Sequence, residues 1–187
     1  AFILIMICVL FVYTGEAIAG ASDQRSFVET MLRMKWAGII LLPATYLHFA
    51  NALLSLTGLP SRGRRIWAVR LAYVFSIIAL VLIPLNIIVG PYLETSLPAS
   101  QLARTQYTNL VALYYIVVMV VAGSIIFRAF QRTVTKTSRR RMIYLMTGAT
   151  ASAIGIFSFL LYDSGIFLKF PIIYWILVSI SALSVGA

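Results

Sequence analysis

Apolar residues are concentrated in six long runs, and each run is close to the length needed to cross a membrane. A helix needs about 20 apolar residues to span a hydrocarbon core about 30 Å thick. The runs cover residues 1–21, 36–58, 66–90, 107–130, 142–162 and 166–187. We therefore predict an all-α fold, in which residues 1–187 form a single transmembrane domain, a polytopic bundle of six spans.

Amphipathic aromatic side chains at the ends of these runs support the predicted boundaries. Tyr and Trp are favoured where the hydrocarbon meets the headgroups. The residues in such positions are Trp36, Trp67, Tyr92, Tyr107, Tyr144, Tyr162 and Trp175.

Basic residues are concentrated in alternate connections, which predicts the orientation of the spans. Ten of the fifteen Lys and Arg residues form two clusters, whereas the loop acids Asp23, Glu29, Glu94 and Asp163 all fall in the other connections. Because loops rich in Lys and Arg stay in the cytoplasm, we expect both clusters and both visible ends of the chain to be cytoplasmic. The clusters are Arg62, Arg64, Arg65 and Arg70, and Arg128, Arg132, Lys136, Arg139, Arg140 and Arg141.

Composition excludes several other classes of protein. The chain is 61% hydrophobic and 11% charged, with a mean hydropathy of +0.98, which argues against a soluble domain. Its net charge of +10 is segregated by loop, as membrane insertion requires, so we expect no nucleic-acid partner. The basic loops are instead expected to attract anionic lipid headgroups. Cys8 is the only cysteine, so the sequence offers no intrachain disulfide and no Cys/His cluster for zinc or iron–sulfur.

Both ends of the sequence fall inside apolar runs. Ala1 opens a run without an initiator Met, and Ala187 closes one without a basic stop. We expect the sequence to be a fragment of a longer protein.

Few polar groups lie within the predicted spans, and these are the candidate functional residues. Glu16 is expected near the outer end of the first span, where it either pairs with Arg25, Arg33 or Lys35 or serves a ligand or proton-sensing role. His48 lies mid-span and shares one helix face with Thr45, Asn51 and Ser55, given spacings of three and four residues. That stripe predicts an interhelical polar clasp; the sharper alternative makes His48 an axial ligand of a haem or chlorophyll-type macrocycle.

Small residues and prolines suggest how the helices pack. Gly148, Ser152 and Gly155 repeat at helical spacing, which predicts a close approach of the fifth span to a neighbour. Prolines can kink three of the spans and open cavities there, and we expect Asn86 and Tyr174 to line such cavities. The prolines are Pro43, Pro84 and Pro171.

No catalytic constellation is present in the sequence. It has no paired carboxylates, no metal-ligand cluster, no glycine-rich phosphate loop and no Ser/His/Asp set in plausible loops. We therefore predict that the chain is not an enzyme and binds no metal.

The stretch from Leu32 to Gly58, LRMKWAGIILLPATYLHFANALLSLTG, resembles the seven-helix N-terminal sensor region of bacterial histidine kinases. It has a basic and aromatic approach to a helix, an intramembrane proline, an aromatic segment and a Thr-Gly exit. The likeness extends more loosely through Arg139–Arg141 and the fifth span. It implies that the six runs are the second to seventh helices of that region, in a bacterial inner membrane.

The resemblance implies a sensory input module, usually dimeric, that relays a signal through its last helix to a cytoplasmic output domain beyond Ala187. The alternative is a structural or accessory subunit of a larger respiratory or photosynthetic complex. A haem, chlorophyll or quinone is expected only in that case; otherwise no cofactor is evident. Secondary transport is disfavoured, because the chain lacks mid-membrane carboxylates and repeated halves.

Overall fold

The computed structural model describes residues 1–58, 63–93, 101–132 and 136–162, together with the single positions 172, 176 and 179. The described part is mostly helical, with one β-hairpin. Four of its helices, α1 to α4, are long and apolar enough to cross a membrane. The elements in chain order are α1 (Phe2–Ala21), α2 (Arg25–Leu56), α3 (Arg64–Leu82), β1 (Val89–Leu93), β2 (Gln101–Arg104), α4 (Gln106–Gln131) and α5 (Lys136–Tyr162).

The first and fourth predicted spans agree with α1 and α4 to within one residue at each end. The fifth coincides with α5, which begins six residues earlier than predicted. Of the sixth, only Ile172, Ile176 and Ser179 are described, and they are helical. The six-span count therefore stays a prediction.

The second span begins earlier than predicted, because residues 25–35 are helical and not a connection. Only Ser22–Gln24 separates α1 from α2. Val28, Leu32 and Trp36 recur every fourth residue and are buried at 3%, 2% and 4% exposure, so one apolar stripe extends the helix. Trp36 therefore lies in the core of the bundle, and its place at a membrane interface stays a prediction. At about 1.5 Å per residue α2 is about 48 Å long, and it continues through Pro43 beyond the thickness of a hydrocarbon core.

The third span ends before Gly90, contrary to the prediction, because the chain leaves the helix in a turn that contains Pro84 and Asn86. Proline has no N–H to donate to the preceding turn. Asn86 then adopts φ 57°, while its N–H bonds Ile83 O at 3.1 Å and the N–H of Ile87 bonds Leu82 O at 3.3 Å. These bonds form a Schellman motif, with Asn86 as its left-handed residue.

The chain after this turn forms an antiparallel hairpin, which corrects the all-α prediction. Val89 pairs with Arg104 and Leu93 with Gln101, with an irregularity between Val89 and Tyr92. The hairpin is joined to α4 by Thr105, which starts that helix in a capping box with Thr108. The Thr105 hydroxyl also lies 2.7 Å from Ile87 O. We call this end of the bundle the hairpin end.

The two basic clusters lie mainly on helices, whereas the sequence placed them mainly in loops. Helix α3 begins at Arg64, α4 continues to Gln131 and α5 begins at Lys136, so the described residues of each cluster extend helix ends. Arg62 lies outside the described residues. We call this end of the bundle, where α2 and α4 end and α3 and α5 begin, the basic end.

Helix α2 is the centre of the bundle, and its closest neighbour is α1. A β-carbon placed on Gly38 would lie 2.7 Å from Cys8 O and 2.8 Å from Val12 Cγ2, and one on Gly15 would lie 2.8 Å from Met31 O. Two glycines therefore let the backbones of α1 and α2 approach closely. A β-carbon on Gly148 would meet nothing within 4 Å, and the side chain of Ser152 lies outside the described residues, so the predicted close approach of the fifth span stays a prediction.

We expect Gly38→Ala to lower the free energy of unfolding by about 1–3 kcal/mol, because the methyl group overlaps the α1 backbone. Gly123→Ala is the matched control, since a β-carbon at Gly123 meets nothing within 4 Å and alanine favours the helix. Unfolding titrations with a denaturing detergent in mixed micelles measure both. Equal stability of the two variants would argue against the close contact.

Candidate functional site

Among the described residues, the most extensive polar contacts surround Arg33 at the hairpin end. Its Nη2 donates to Asn86 Oδ1 at 2.8 Å and pairs with Glu29 Oε1 at 2.5 Å, and its Nη1 donates to Pro84 O at 3.3 Å. One guanidinium thus joins α2 to the turn that ends α3. We call Glu29, Arg33, Pro84 and Asn86 the bridging cluster.

A second ion pair lies two residues further along α2 and joins it to α1. Lys35 Nζ donates to Glu16 Oε2 at 2.6 Å, with side-chain exposures of 11% and 22%. Lys35 is one of the three bases that the sequence offered as partners for Glu16. The pair ties α1 to α2 beside Gly15, where an added β-carbon would lie 3.0 Å from Lys35 Cβ. In so little water, removing either partner would leave an uncompensated charge, so the pair holds the two helices in register.

The hairpin itself is held against α2 and α4. The Arg25 guanidinium lies over the Tyr92 ring at 5.7 Å from its centroid, a cation–π contact between α2 and β1. Thr108 Oγ1 donates to Ile88 O at 2.6 Å. The start of α2, the end of α3, the hairpin and the start of α4 are therefore joined by polar contacts at one end of the bundle.

His48 makes the interhelical contact that the polar stripe predicted. Its Nδ1 lies 3.1 Å from the Tyr73 hydroxyl on α3, and the two rings meet edge to face at 5.9 Å between centroids. Both side chains are half-buried. The clasp is thus present between α2 and α3, and the axial-ligand alternative remains a hypothesis about the other ring nitrogen.

The other members of the stripe face the bundle, and Thr45 and Ser55 also bond to carbonyl groups of α2 itself. Thr45 and Asn51 are buried at 2% and 7% exposure. Thr45 Oγ1 donates to Leu42 O at 2.9 Å, and Ser55 Oγ donates to Ala52 O at 2.7 Å. Such back-bonding satisfies a hydroxyl within its own helix. Thr45 Oγ1 also lies 3.9 Å from Cys8 Sγ on α1, so its hydroxyl has a contact in the neighbouring helix as well. The orientation of the stripe was predictable; the partners of its members were not.

A second polar contact point was missed from the sequence. Ser76 on α3 donates to Ile40 O of α2 at 2.9 Å, and its oxygen lies 3.0 Å from the Tyr114 hydroxyl of α4, which donates to Ala72 O at 3.0 Å. Ser76 is fully buried. The sequence did contain a signal for this contact, namely a single Ser and a Tyr inside apolar runs. Because buried hydroxyls need hydrogen-bond partners, such residues predict a contact between helices.

Two of the candidate residues predicted from the sequence remain, Asn86 and Tyr174. Asn86 lies in the turn after α3, is exposed and accepts a hydrogen bond from Arg33, while its predicted place in a cavity lining stays a prediction. Tyr174 lies outside the described residues. Within the described ranges no three His, Cys, Asp or Glu side chains come together as a metal site.

Comparisons with known proteins identify no relative. The chain matches no protein-family model, and no curated protein and no solved structure is significantly similar to it. Its function must therefore be inferred from the geometry of the bundle and from the resemblance in its sequence.

We expect the His48–Tyr73 contact to contribute about 0.6–2 kcal/mol to stability. Tyr73→Phe keeps the ring and removes the hydroxyl, and His48→Ala removes the other partner. In a double-mutant cycle of unfolding free energies, the double variant should lose less than the sum of the single variants by that amount. Strict additivity would show that the two side chains do not interact.

Substitutions at Asn86 should separate its backbone role from its side-chain role. Asn86→Gly keeps the left-handed turn but removes the acceptor for Arg33, at a cost of about 1 kcal/mol. Asn86→Val should cost about 1–2 kcal/mol more, because a β-branched residue resists positive φ. In an Arg33→Ala background the effect of Asn86→Gly should largely disappear. Unfolding titrations test this, and equal losses for the Gly and Val variants would contradict the turn assignment.

Proposed function

We propose that the chain is the membrane-embedded sensory input module of a longer bacterial protein. In this proposal it lies in the inner membrane, with the hairpin end outside and the basic end in the cytoplasm. It relays a signal to a cytoplasmic output domain that this chain does not contain. The proposal is supported by the sequence resemblance to histidine-kinase sensor regions and by the asymmetric distribution of charge.

The observation that carries the proposal is that the bridging cluster connects the turn after α3 to α2, a helix that is unbroken from Arg25 to Leu56. Arg33 binds the Pro84–Asn86 turn, and α2 continues from there to Leu56 at the basic end. A stimulus that moves the turn or the hairpin would change the contacts of one guanidinium. Because a packed helix moves as a unit, the displacement reaches the opposite end of the bundle.

The polar contacts along α2 support the same interpretation. His48–Tyr73 and Ser76–Ile40 tie α2 to α3 at two depths, while Glu16–Lys35 ties it to α1. Hydrogen bonds of this kind have discrete alternative partners, so they suit a bundle that changes between two packings. Dimerisation of the chain is part of this proposal.

The proposal is tested with the parent protein reconstituted in lipid nanodiscs, with autophosphorylation of its output domain as the readout. Arg33→Ala should shift the basal rate about 2- to 30-fold, the range expected for a residue that couples two packings. Arg33→Lys should shift it too, since an ammonium cannot reproduce the forked contacts of a guanidinium. Leu113→Ala, at an exposed apolar position of α4, is the control.

Two outcomes would overturn the proposal. One is a parent gene that encodes no output domain after the last span. The other is a basal rate that stays at the wild-type value in both Arg33 variants at normal abundance.

A further inference from the structure

A cavity of about 500 Å³ opens at the basic end, between the start of α3 and the end of α4. Three of its five lining side chains carry a guanidinium, and Leu54 near the end of α2 forms its apolar wall. The lining residues are Leu54, Arg65, Arg128, Gln131 and Arg132. Arginine forks match the geometry of phosphate oxygens, which they bind bidentately.

The charge around this cavity is one-sided. The sequence contains no Asp or Glu from residue 30 to 93 or from 95 to 162. The nearest acid along α2 is Glu29, which is 25 residues before Leu54, or about 37 Å along the helix axis at 1.5 Å per residue. The carboxylates Glu16 and Glu29 are held by bases at the hairpin end. The cavity therefore favours an anion.

An apolar groove of about 490 Å³ runs between α3 and α4 on the same side of the bundle. It exists because α3 and α4 each pack mainly against α2 and little against each other, so Leu47 of α2 forms its floor. Its walls include Leu71, Val74 and Ile78, which are 63%, 52% and 55% exposed. The remaining lining residues are Ala68, Ala72, Phe75, Tyr114, Val117, Val118 and Val121.

The groove leads away from the basic cavity. Ala68 lies one turn beyond Arg65 on α3, and Val121 lies two turns before Arg128 on the antiparallel α4. From Ala68 to Ile78 the groove covers ten residues, or about 15 Å of helix. That length is half of a hydrocarbon core about 30 Å thick, which is the depth of one leaflet.

We propose that α3 and α4 form a binding site for one anionic phospholipid. The headgroup phosphate lies in the basic cavity against Arg65, Arg128 and Arg132, and an acyl chain lies in the groove toward Tyr114. The phosphate supplies the charge that the cavity lacks, and the acyl chain covers the exposed apolar walls. A phosphate dianion in solution would use only the first half of this site.

The test measures lipid bound to the full chain in neutral detergent by native mass spectrometry. Neutral detergent has no charged membrane surface, so general attraction between basic residues and an anionic surface does not contribute to the measured binding. Phosphatidylglycerol should bind as a single molecule, more than about tenfold tighter than phosphatidylcholine. Arg65→Gln/Arg128→Gln should abolish this preference. Arg140→Gln/Arg141→Gln, which removes the same charge from exposed positions outside the cavity, should retain it.

The groove is tested separately from the cavity. Val121→Trp should fill the groove and weaken phosphatidylglycerol binding about tenfold or more, whereas Leu113→Trp on an exposed face outside the groove should not. Inorganic phosphate should compete only weakly. Equal binding by the two arginine double variants, or strong competition by inorganic phosphate with no effect of Val121→Trp, would overturn the lipid site. Because the assay measures binding alone, its outcome does not depend on whether the chain is a sensor.

Discussion

The close contact between α1 and α2 determines how the rest of the bundle is arranged. Within a bilayer there is little hydrophobic gain from joining two apolar helices, so close packing and polar contacts must supply the association. Gly15 and Gly38 remove the side chains that would keep the two backbones apart. Lys35 and Glu16 add an ion pair at the same seam. With one face of α2 covered in this way, α3 and α4 are left to pack on its remaining surface.

That arrangement gives the two ends of the bundle different properties. At the hairpin end, Arg33 and the two threonines Thr105 and Thr108 join the segments by hydrogen bonds to backbone carbonyls and side chains. Toward the basic end α3 and α4 leave a groove between them, with guanidiniums at its mouth. One end is thus fixed by polar contacts, while the other has exposed positive charge beside exposed apolar surface.

The long apolar helices were predictable and their interruptions were not. The ends of α1 and α4 agree with the sequence because each apolar run there stops where the helix stops. The predicted third span failed because apolar residues continue through Pro84 into β1, and hydropathy does not distinguish an apolar helix from an apolar strand. The start of α2 was missed because charged residues on one face concealed the stripe of Val28, Leu32 and Trp36. The sequence also did not distinguish Arg33 from the other bases expected on the outer side, because its contacts with Pro84 and Asn86 appear only in the folded structure.

The amino-acid sequence was sufficient to predict helices long and apolar enough to cross a membrane, and the segregation of positive charge into alternate connections. These properties follow from the cost of placing polar groups in hydrocarbon, which depends on residue type and order alone. The tertiary structure decided that Glu16 meets Lys35, that His48 meets Tyr73 and that Arg65 and Arg128 share a cavity. Those pairs join residues 19, 25 and 63 positions apart. Only the rotation and spacing of packed helices bring such residues together, and hydropathy along a chain carries neither.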